Sequence, residues 1–218
     1  MGYAPDPWTW VPWEYVGQST GRWDDPRGQY RVIYAGSTPE ACFAEVLAQF
    51  RPDPMVIHDT TAISADKRDG VYPAVASGVL PRSWLERRRL GTANLDGTFV
   101  DIDHKKSIAA LRPTFLADAV RHGLADFDAA AIRIHRPRPL TQGISRYLYE
   151  SELDGDRIAG IKYESRFGAS LDLWAIFERA EDEGLGRSRL LAGVRSDEIT
   201  STQAGFLDAM SLHGLEFD

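Results

Sequence analysis

Short segments with β-strand character alternate irregularly with helical segments along this chain of 218 residues. β-Branched and aromatic residues predict strands at 30–34, 55–59, 75–79, 98–102, 130–134, 158–163 and 171–177. Helical patterns predict helices at 81–89, 105–122 and 140–149, the second of them broken or restarted by Pro113. Because this order is not a strict strand–helix–strand repeat, it favours an α+β fold with helices beside a mixed or antiparallel sheet.

The clearest local unit is the predicted strand at 30–34 and the helix that follows it. Residues 37–40 combine a capping hydroxyl, a proline suited to a first helical turn and a carboxylate placed for a capping box. The apolar stripe of this helix consists of Phe43, Val46, Leu47 and Phe50. Glu45 points away from the stripe, onto a face of small residues formed with Ala41, Ala44, Ala48 and Gln49. We therefore expect room beside the Glu45 carboxylate for a ligand or for water.

Composition predicts one globular domain over residues 1–218, since 43% of the residues are hydrophobic and 26% are charged. Residues 1–16 are expected to form an arm rich in Trp and Pro that packs through Trp8, Trp10 and Trp13. Residues 186–218 are expected to form an extension packed on the core, with a helix near 206–215. The net charge is -7 and the basic residues are scattered, which argues against a nucleic-acid partner.

The cellular setting is predicted from features that are missing. The single cysteine, Cys42, rules out an internal disulfide and suits a reducing compartment. No segment approaches the roughly 20 apolar residues that a membrane-spanning helix requires, and the N-terminal residues have no basic start or apolar run. We therefore expect a soluble, cytoplasmic protein without a membrane partner.

Several common catalytic motifs are absent from the sequence. No GxGxxG, P-loop, HExxH or GxSxG motif occurs where its chemistry would require it. The five histidines lie far apart and no paired cysteines accompany them, so no zinc ligand set is evident. We therefore expect catalysis, if any, to run without a metal and largely without histidine.

Five spaced motifs carry a resemblance to a known family. They are GRWDDP at 21–26, VIYA at 32–35, EA at 40–41 with AEVL at 44–47, GIKYESR at 160–166 and LWAIFE at 173–178. In this order the chain resembles the RES-domain family, which is named for an Arg, a Glu and a Ser. By resemblance these residues are Arg22, Glu45 and Ser165.

The resemblance implies a fold like that of ADP-ribosyltransferases and an enzyme that consumes NAD as its substrate. Known members act as bacterial toxins that deplete NAD or attach its ADP-ribose to a protein, usually opposed by an antitoxin of the Xre type. The implied partners are therefore NAD, an Xre-type antitoxin and a possible acceptor protein. This chain departs from the family pattern at Asp24, where asparagine is common, and it has no identifiable upstream Tyr-Arg pair.

Two of the matching residues are candidates for catalysis. Cleavage of the bond between nicotinamide and ribose produces a cationic sugar, so a carboxylate beside the reacting carbon is favourable. Glu45 is the candidate for that carboxylate. Arg22 is expected to hold the diphosphate through charge-assisted, bidentate hydrogen bonds.

The other candidates are binding residues. Tyr34 and Tyr163 offer aromatic rings to the flat nicotinamide or its ribose. Ser165 is expected to bond to the ribose or to the nicotinamide amide, and Arg166 to make a second phosphate contact.

Structural alternatives remain open for each of these residues. Arg22 could form a surface ion pair, Glu45 could be a solvated helix residue, the tyrosines could be packing residues and Ser165 could satisfy a turn. At the level of function, the alternative to an enzyme is an inactive module that binds NAD or ADP-ribose. The sequence also leaves open whether the acceptor is water, phosphate or a protein.

Overall fold

The computed structural model describes residues 1–17, 21–52, 78–133 and 137–217. Within these ranges the α-helices are α1 (Pro39–Leu47), α2 (Arg82–Glu86), α3 (Lys105–Arg121), α4 (Ala129–Arg133), α5 (Arg138–Glu150) and α6 (Ala204–His213). The strands are β1 (Gly2–Tyr3), β2 (Val32–Gly36), β3 (Val79–Leu80), β4 (Arg88–Leu95), β5 (Phe99–Asp101), β6 (Glu152–Leu153), β7 (Asp156–Arg157), β8 (Gly160–Ser165), β9 (Gly168–Phe177), β10 (Leu191–Glu198) and β11 (Glu216–Phe217).

The sheet nearest to the predicted site has four strands in the order β2-β9-β8-β5. Strand β9 pairs antiparallel with both β2 and β8, whereas β5 pairs parallel with β8. The β8–β9 hairpin confirms the hairpin predicted from residues 158–177. Ile161 and Ala175 of this sheet are fully buried in a core that also contains Phe115 of α3 and Ile144 of α5.

A second sheet has three antiparallel strands in the order β1-β4-β10. The N-terminal arm joins it through β1, and Trp8 and Trp10 are buried in a cluster with Ile33 of β2. Trp13 differs from the prediction, because its side chain is 52% exposed. Its ring lies against the guanidinium of Arg31, whose central carbon is 4.7 Å from the ring centre. The arm therefore packs mainly through Trp8 and Trp10.

Helix α1 begins close to the predicted position. The hydroxyl of Thr38 accepts a hydrogen bond from the Ala41 N–H at 3.1 Å, and Pro39 is the first helical residue. Because Thr38 and not Ser37 caps the helix, Glu40 lies one position too early to complete a capping box. A 3-10 turn over Ala48–Phe50 follows the helix.

Helix α1 is buried on two faces. Phe43 and Leu47 pack in a second core with Phe206 of α6, as their stripe predicts. Ala41 and Ala44 are also fully buried, in the core beneath the four-stranded sheet. The prediction of an open face of small residues is therefore wrong for these two alanines, because β2 and β9 pack against them.

Three local predictions are wrong for identifiable physical reasons. Residues 129–133 form helix α4 and not a strand, because the Asp128 carboxylate accepts the Ala131 N–H at 2.8 Å and the segment is rich in alanine. Helix α3 continues through Pro113, whose cost of about 3 kcal/mol is offset by the burial of Leu111 and Phe115 on either side. The helix predicted at 81–89 ends at Glu86, and β4 follows it.

The fold class is α+β, as predicted, and its mixed and antiparallel sheets with flanking helices agree with an ADP-ribosyltransferase-like core. The strand predicted at 55–59 and most of the one predicted at 75–79 lie outside the described residues. None of the helices described here is long and apolar enough to cross a lipid bilayer.

Candidate active site

A cavity of about 490 Å³ opens where β2, α1, the β8–β9 hairpin and the start of α5 meet. Its size falls within the range of about 300–1,000 Å³ that is usual for small-molecule sites. Its described lining includes Arg22, Tyr34, Cys42, Glu45, Arg138, Tyr163, Arg166 and Phe167. Five of the six predicted site residues therefore face the same space.

The sixth predicted residue, Ser165, acts on Glu45 and does not line the cavity. Its hydroxyl donates a hydrogen bond of 2.6 Å to Oε1 of Glu45 and accepts the Phe167 N–H at 3.0 Å. Ser165 is buried at the end of β8, so this hydroxyl has a fixed direction. The hydrogen bond fixes the carboxylate of Glu45, which itself lines the cavity.

Arg22 is held from two sides in the loop before β2. Its Nη2 donates to the carbonyl oxygen of Arg133 at 2.8 Å. Its guanidinium also lies over the rings of Trp23 and Tyr163, at 5.7 and 5.4 Å from their centres. These contacts limit the freedom of a long side chain before any ligand arrives, which lowers the entropic cost of binding.

Arg133, whose carbonyl oxygen accepts the hydrogen bond from Arg22, is itself held by two carboxylates. The Arg133 guanidinium bonds to Asp103 at 3.0 Å and to Glu164 of β8. The second oxygen of Asp103 accepts the Glu164 N–H at 2.7 Å. A polar network thus connects Arg22 to the strand that carries Tyr163.

Asp24 locks the Arg22 loop onto Tyr34. The Tyr34 hydroxyl donates to Oδ1 of Asp24 at 2.7 Å and accepts the Trp23 N–H at 3.0 Å. Oδ2 of Asp24 accepts the Gly21 N–H at 2.8 Å. A Cβ at Gly21 would overlap Oδ2 of Asp24 and the Tyr34 hydroxyl, so a larger residue there would displace these hydrogen bonds. Tyr34 therefore presents mainly its ring to the cavity.

Both tyrosines remain protonated at neutral pH. Burial, followed by the charge of Asp24, raises the pKa of Tyr34 well above its ordinary value. Burial, followed by the charge of Glu45, raises the pKa of Tyr163 in the same direction. The two rings can therefore supply aromatic surface without adding negative charge, and Glu45 is the acidic side chain among the described residues of the lining.

Helix α5 supports the Arg22 loop from below, a role that sequence patterns did not reveal. The Ser145 hydroxyl donates to the carbonyl oxygen of Trp23 at 2.6 Å, and the Gln142 amide donates to that of Gly21 at 3.2 Å. Arg146 forms an ion pair of 3.2 Å with the buried Asp25. Arg138 at the start of α5 was also missed, and the only local signal for it is its position between Pro137 and Pro139.

His213 of α6 lies behind α1, next to the turn that carries Glu45. Its Nε2 lies 2.6 Å from the carbonyl oxygen of Ala44, so this nitrogen donates and the neutral ring has an unprotonated Nδ1. That Nδ1 has no hydrogen-bond partner among the residues that the structure describes. Burial lowers the pKa of His213, and the charge of Arg51 acts in the same direction.

We expect stability to fall as the pH drops below about 6.5, the ordinary pKa of histidine, because the unfolded chain then takes up a proton that folded His213 resists. The slope due to this residue is at most about 1.4 kcal/mol per pH unit. Urea denaturation at pH 8 and pH 5.5 measures the loss. The matched variant is His213→Gln, whose amide can still donate to Ala44 without titrating, and it should lose less stability. An equal loss in both proteins contradicts the prediction.

No group of three or more His, Cys, Asp or Glu side chains suited to a metal occurs in the described part of the chain. The described lining of the cavity offers three guanidinium groups, one carboxylate and several aromatic rings.

The comparisons with known proteins agree with the motifs. The family model of the RES domain matches residues 3–190. Comparisons with curated proteins and with solved structures each found no match. The matched segment covers most of the chain and contains Arg22, Glu45 and Ser165. The chain therefore belongs to the RES-domain family, a family of NAD-related, toxin-like domains.

Proposed function

We propose that this protein cleaves the nicotinamide–ribose bond of NAD, by hydrolysis, by phosphorolysis or by transfer of ADP-ribose to a protein. One observation carries the proposal: Arg22, Tyr34 and Glu45, which come from three separate elements, line the same cavity. The reaction needs three features: a guanidinium that binds phosphate, an aromatic surface that binds the nicotinamide, and a carboxylate that stabilises the sugar cation.

Glu45 stabilises the charge that develops during cleavage. As nicotinamide leaves, the electron pair of the glycosidic bond moves onto its ring nitrogen, and positive charge spreads over the sugar carbon and ring oxygen. A carboxylate fixed beside that carbon favours this transition state without having to reorganise. Ser165 supplies the fixing bond, at 2.6 Å. In this role Ser165 is a positioning residue.

The remaining residues bind and orient the dinucleotide. Arg22 bonds to the diphosphate with the N–H groups that Arg133 does not use. Tyr34 and Tyr163 pack against the nicotinamide or its ribose, and Arg166 at the exposed hairpin turn adds a phosphate contact. NAD is therefore proposed as the substrate, with no metal cofactor.

The cellular partners are proposed from the family. An Xre-type antitoxin would bind the protein and suppress its activity in the cytoplasm. A protein acceptor is required only if ADP-ribose is transferred, since water and phosphate need no binding surface of comparable size.

Incubation of the purified protein with NAD, with and without phosphate, tests the proposal. We expect nicotinamide to be released. Mass analysis of the small products and of the protein then identifies the acceptor. NADH is the matched control, because its reduced ring carries no positive charge and is a poor leaving group. Binding of ADP-ribose without nicotinamide release, with all acceptors present, would instead select the inactive binding module. Absence of both would contradict an NAD site altogether.

A further inference from the structure

Arg138 is a third arginine in the cavity wall and has no assigned role. It is the first residue of α5, and its side chain lines the cavity together with Arg22 and Arg166. Among the described lining side chains there are thus three guanidinium groups and one carboxylate, Glu45. The formal excess is two positive charges.

The three cations are close enough to affect one another. Burial lowers the pKa of Arg138, and the charge of Arg22 is the next largest cause, with Arg166 acting in the same direction. Like charges gathered in a partly buried cavity raise the free energy of the empty site, and an anion with two negative charges relieves this repulsion. A diphosphate carries two negative charges.

Two further features favour an anion beside Arg138. Helix α5 has 13 residues, and no side chain caps its N-terminus. The positive end of the helix dipole is therefore added to the guanidinium charges. In addition, Arg22 gives one of its donors to the Arg133 carbonyl, at 2.8 Å. A guanidinium binds one phosphate group best, in bidentate geometry, so a bidentate contact to each phosphate requires a second guanidinium beside Arg22.

We infer that Arg138 is a further diphosphate-binding residue beside Arg22 and Arg166, with Arg22 and Arg138 each holding one phosphate of the bound dinucleotide. This inference rests on the proposed function for the identity of the ligand.

Isothermal titration calorimetry with ADP-ribose and with inorganic pyrophosphate tests the inference without requiring turnover. We expect Arg138→Gln to raise the Kd for both ligands about 10- to 100-fold, because charge-assisted hydrogen bonds are lost. Arg138→Lys keeps the positive charge but loses the planar, bidentate geometry of the guanidinium. Its Kd should therefore lie between those of the native protein and of Arg138→Gln. The control is Arg112→Gln on α3, which breaks an exposed pair with Asp126 and should leave the Kd within twofold.

An unchanged Kd in Arg138→Gln, with the thermal midpoint preserved, overturns the inference. If Arg138→Gln fails to fold, Arg138→Lys carries the test, and a native Kd for pyrophosphate in that variant overturns the inference as well. The outcomes also separate the two proposals. If the native protein binds ADP-ribose through Arg138 but releases no nicotinamide from NAD, the proposed function fails and the inference stands. If it turns NAD over and Arg138→Gln binds normally, the inference alone fails.

Discussion

Glu45→Gln is expected to reduce nicotinamide release from NAD by about 100-fold or more, because the charge that faces the developing sugar cation is removed. The variant should remain folded. Its amide oxygen can still accept the hydrogen bond from Ser165, and the side chain keeps its size. Turnover of NAD and the thermal midpoint, measured on the same preparation, together check this expectation.

Glu40→Gln is the matched control for Glu45→Gln. Glu40 lies on the same helix, in its first turn, and is exposed. Its loss weakens only a favourable interaction with the helix N-terminus, so NAD turnover should be unchanged. Full turnover in Glu45→Gln would rule out a catalytic carboxylate at this position. Unfolding of Glu45→Gln would instead show that the carboxylate is a structural group.

Glu178→Ala is expected to destabilise the fold by about 3–5 kcal/mol, because it leaves a mostly buried arginine without its carboxylate partner. Glu178 receives the Arg31 guanidinium through two bonds, Nε–Oε2 at 2.7 Å and Nη2–Oε1 at 2.5 Å. The two side chains are only 12% and 9% exposed. Their pair joins the end of β9 to the residue that precedes β2, the strand of Tyr34.

Urea denaturation measures this effect, and the neighbouring Glu181 provides the control. Glu181 pairs with Arg157 at 3.6 Å on the surface, where water and salt screen the charges. We expect Glu181→Ala to leave the denaturation midpoint almost unchanged. A similar small change in Glu178→Ala would mean that Arg31 finds water or another acceptor when the carboxylate is lost.

Local signals predicted the parts of the fold that local interactions determine. The capping hydroxyl and proline at 38–39 predicted the start of α1, and the alternation in 171–177 predicted β9. Glu45 and Arg22 were chosen as candidates because their motifs follow the order that the RES-domain family has. Their meeting in one cavity follows from the sheet, which brings β2 and the β8–β9 hairpin together.

Other features depend on neighbours that are distant in sequence. Strand β4 begins with two basic residues, Arg88 and Arg89, and becomes a strand because β1 and β10 pair with it on either side. Ala41 and Ala44 look solvent-facing on a helical wheel, yet the sheet covers them. Arg138 belongs to the cavity only because α5 packs beneath the Arg22 loop, through contacts 121 and 122 residues apart in sequence.

Helix α6 lies beyond residue 190, where the family match ends, yet it forms the rear support of α1. Phe206 packs on Phe43, and His213 holds the Ala44 carbonyl immediately before Glu45. A fragment that ends at residue 190 would expose Phe43 to water. It would also lose the hydrogen bond from His213 to the Ala44 carbonyl, which helps to position the Glu45 carboxylate. The smallest unit that keeps Glu45 in its present position therefore extends at least to residue 213.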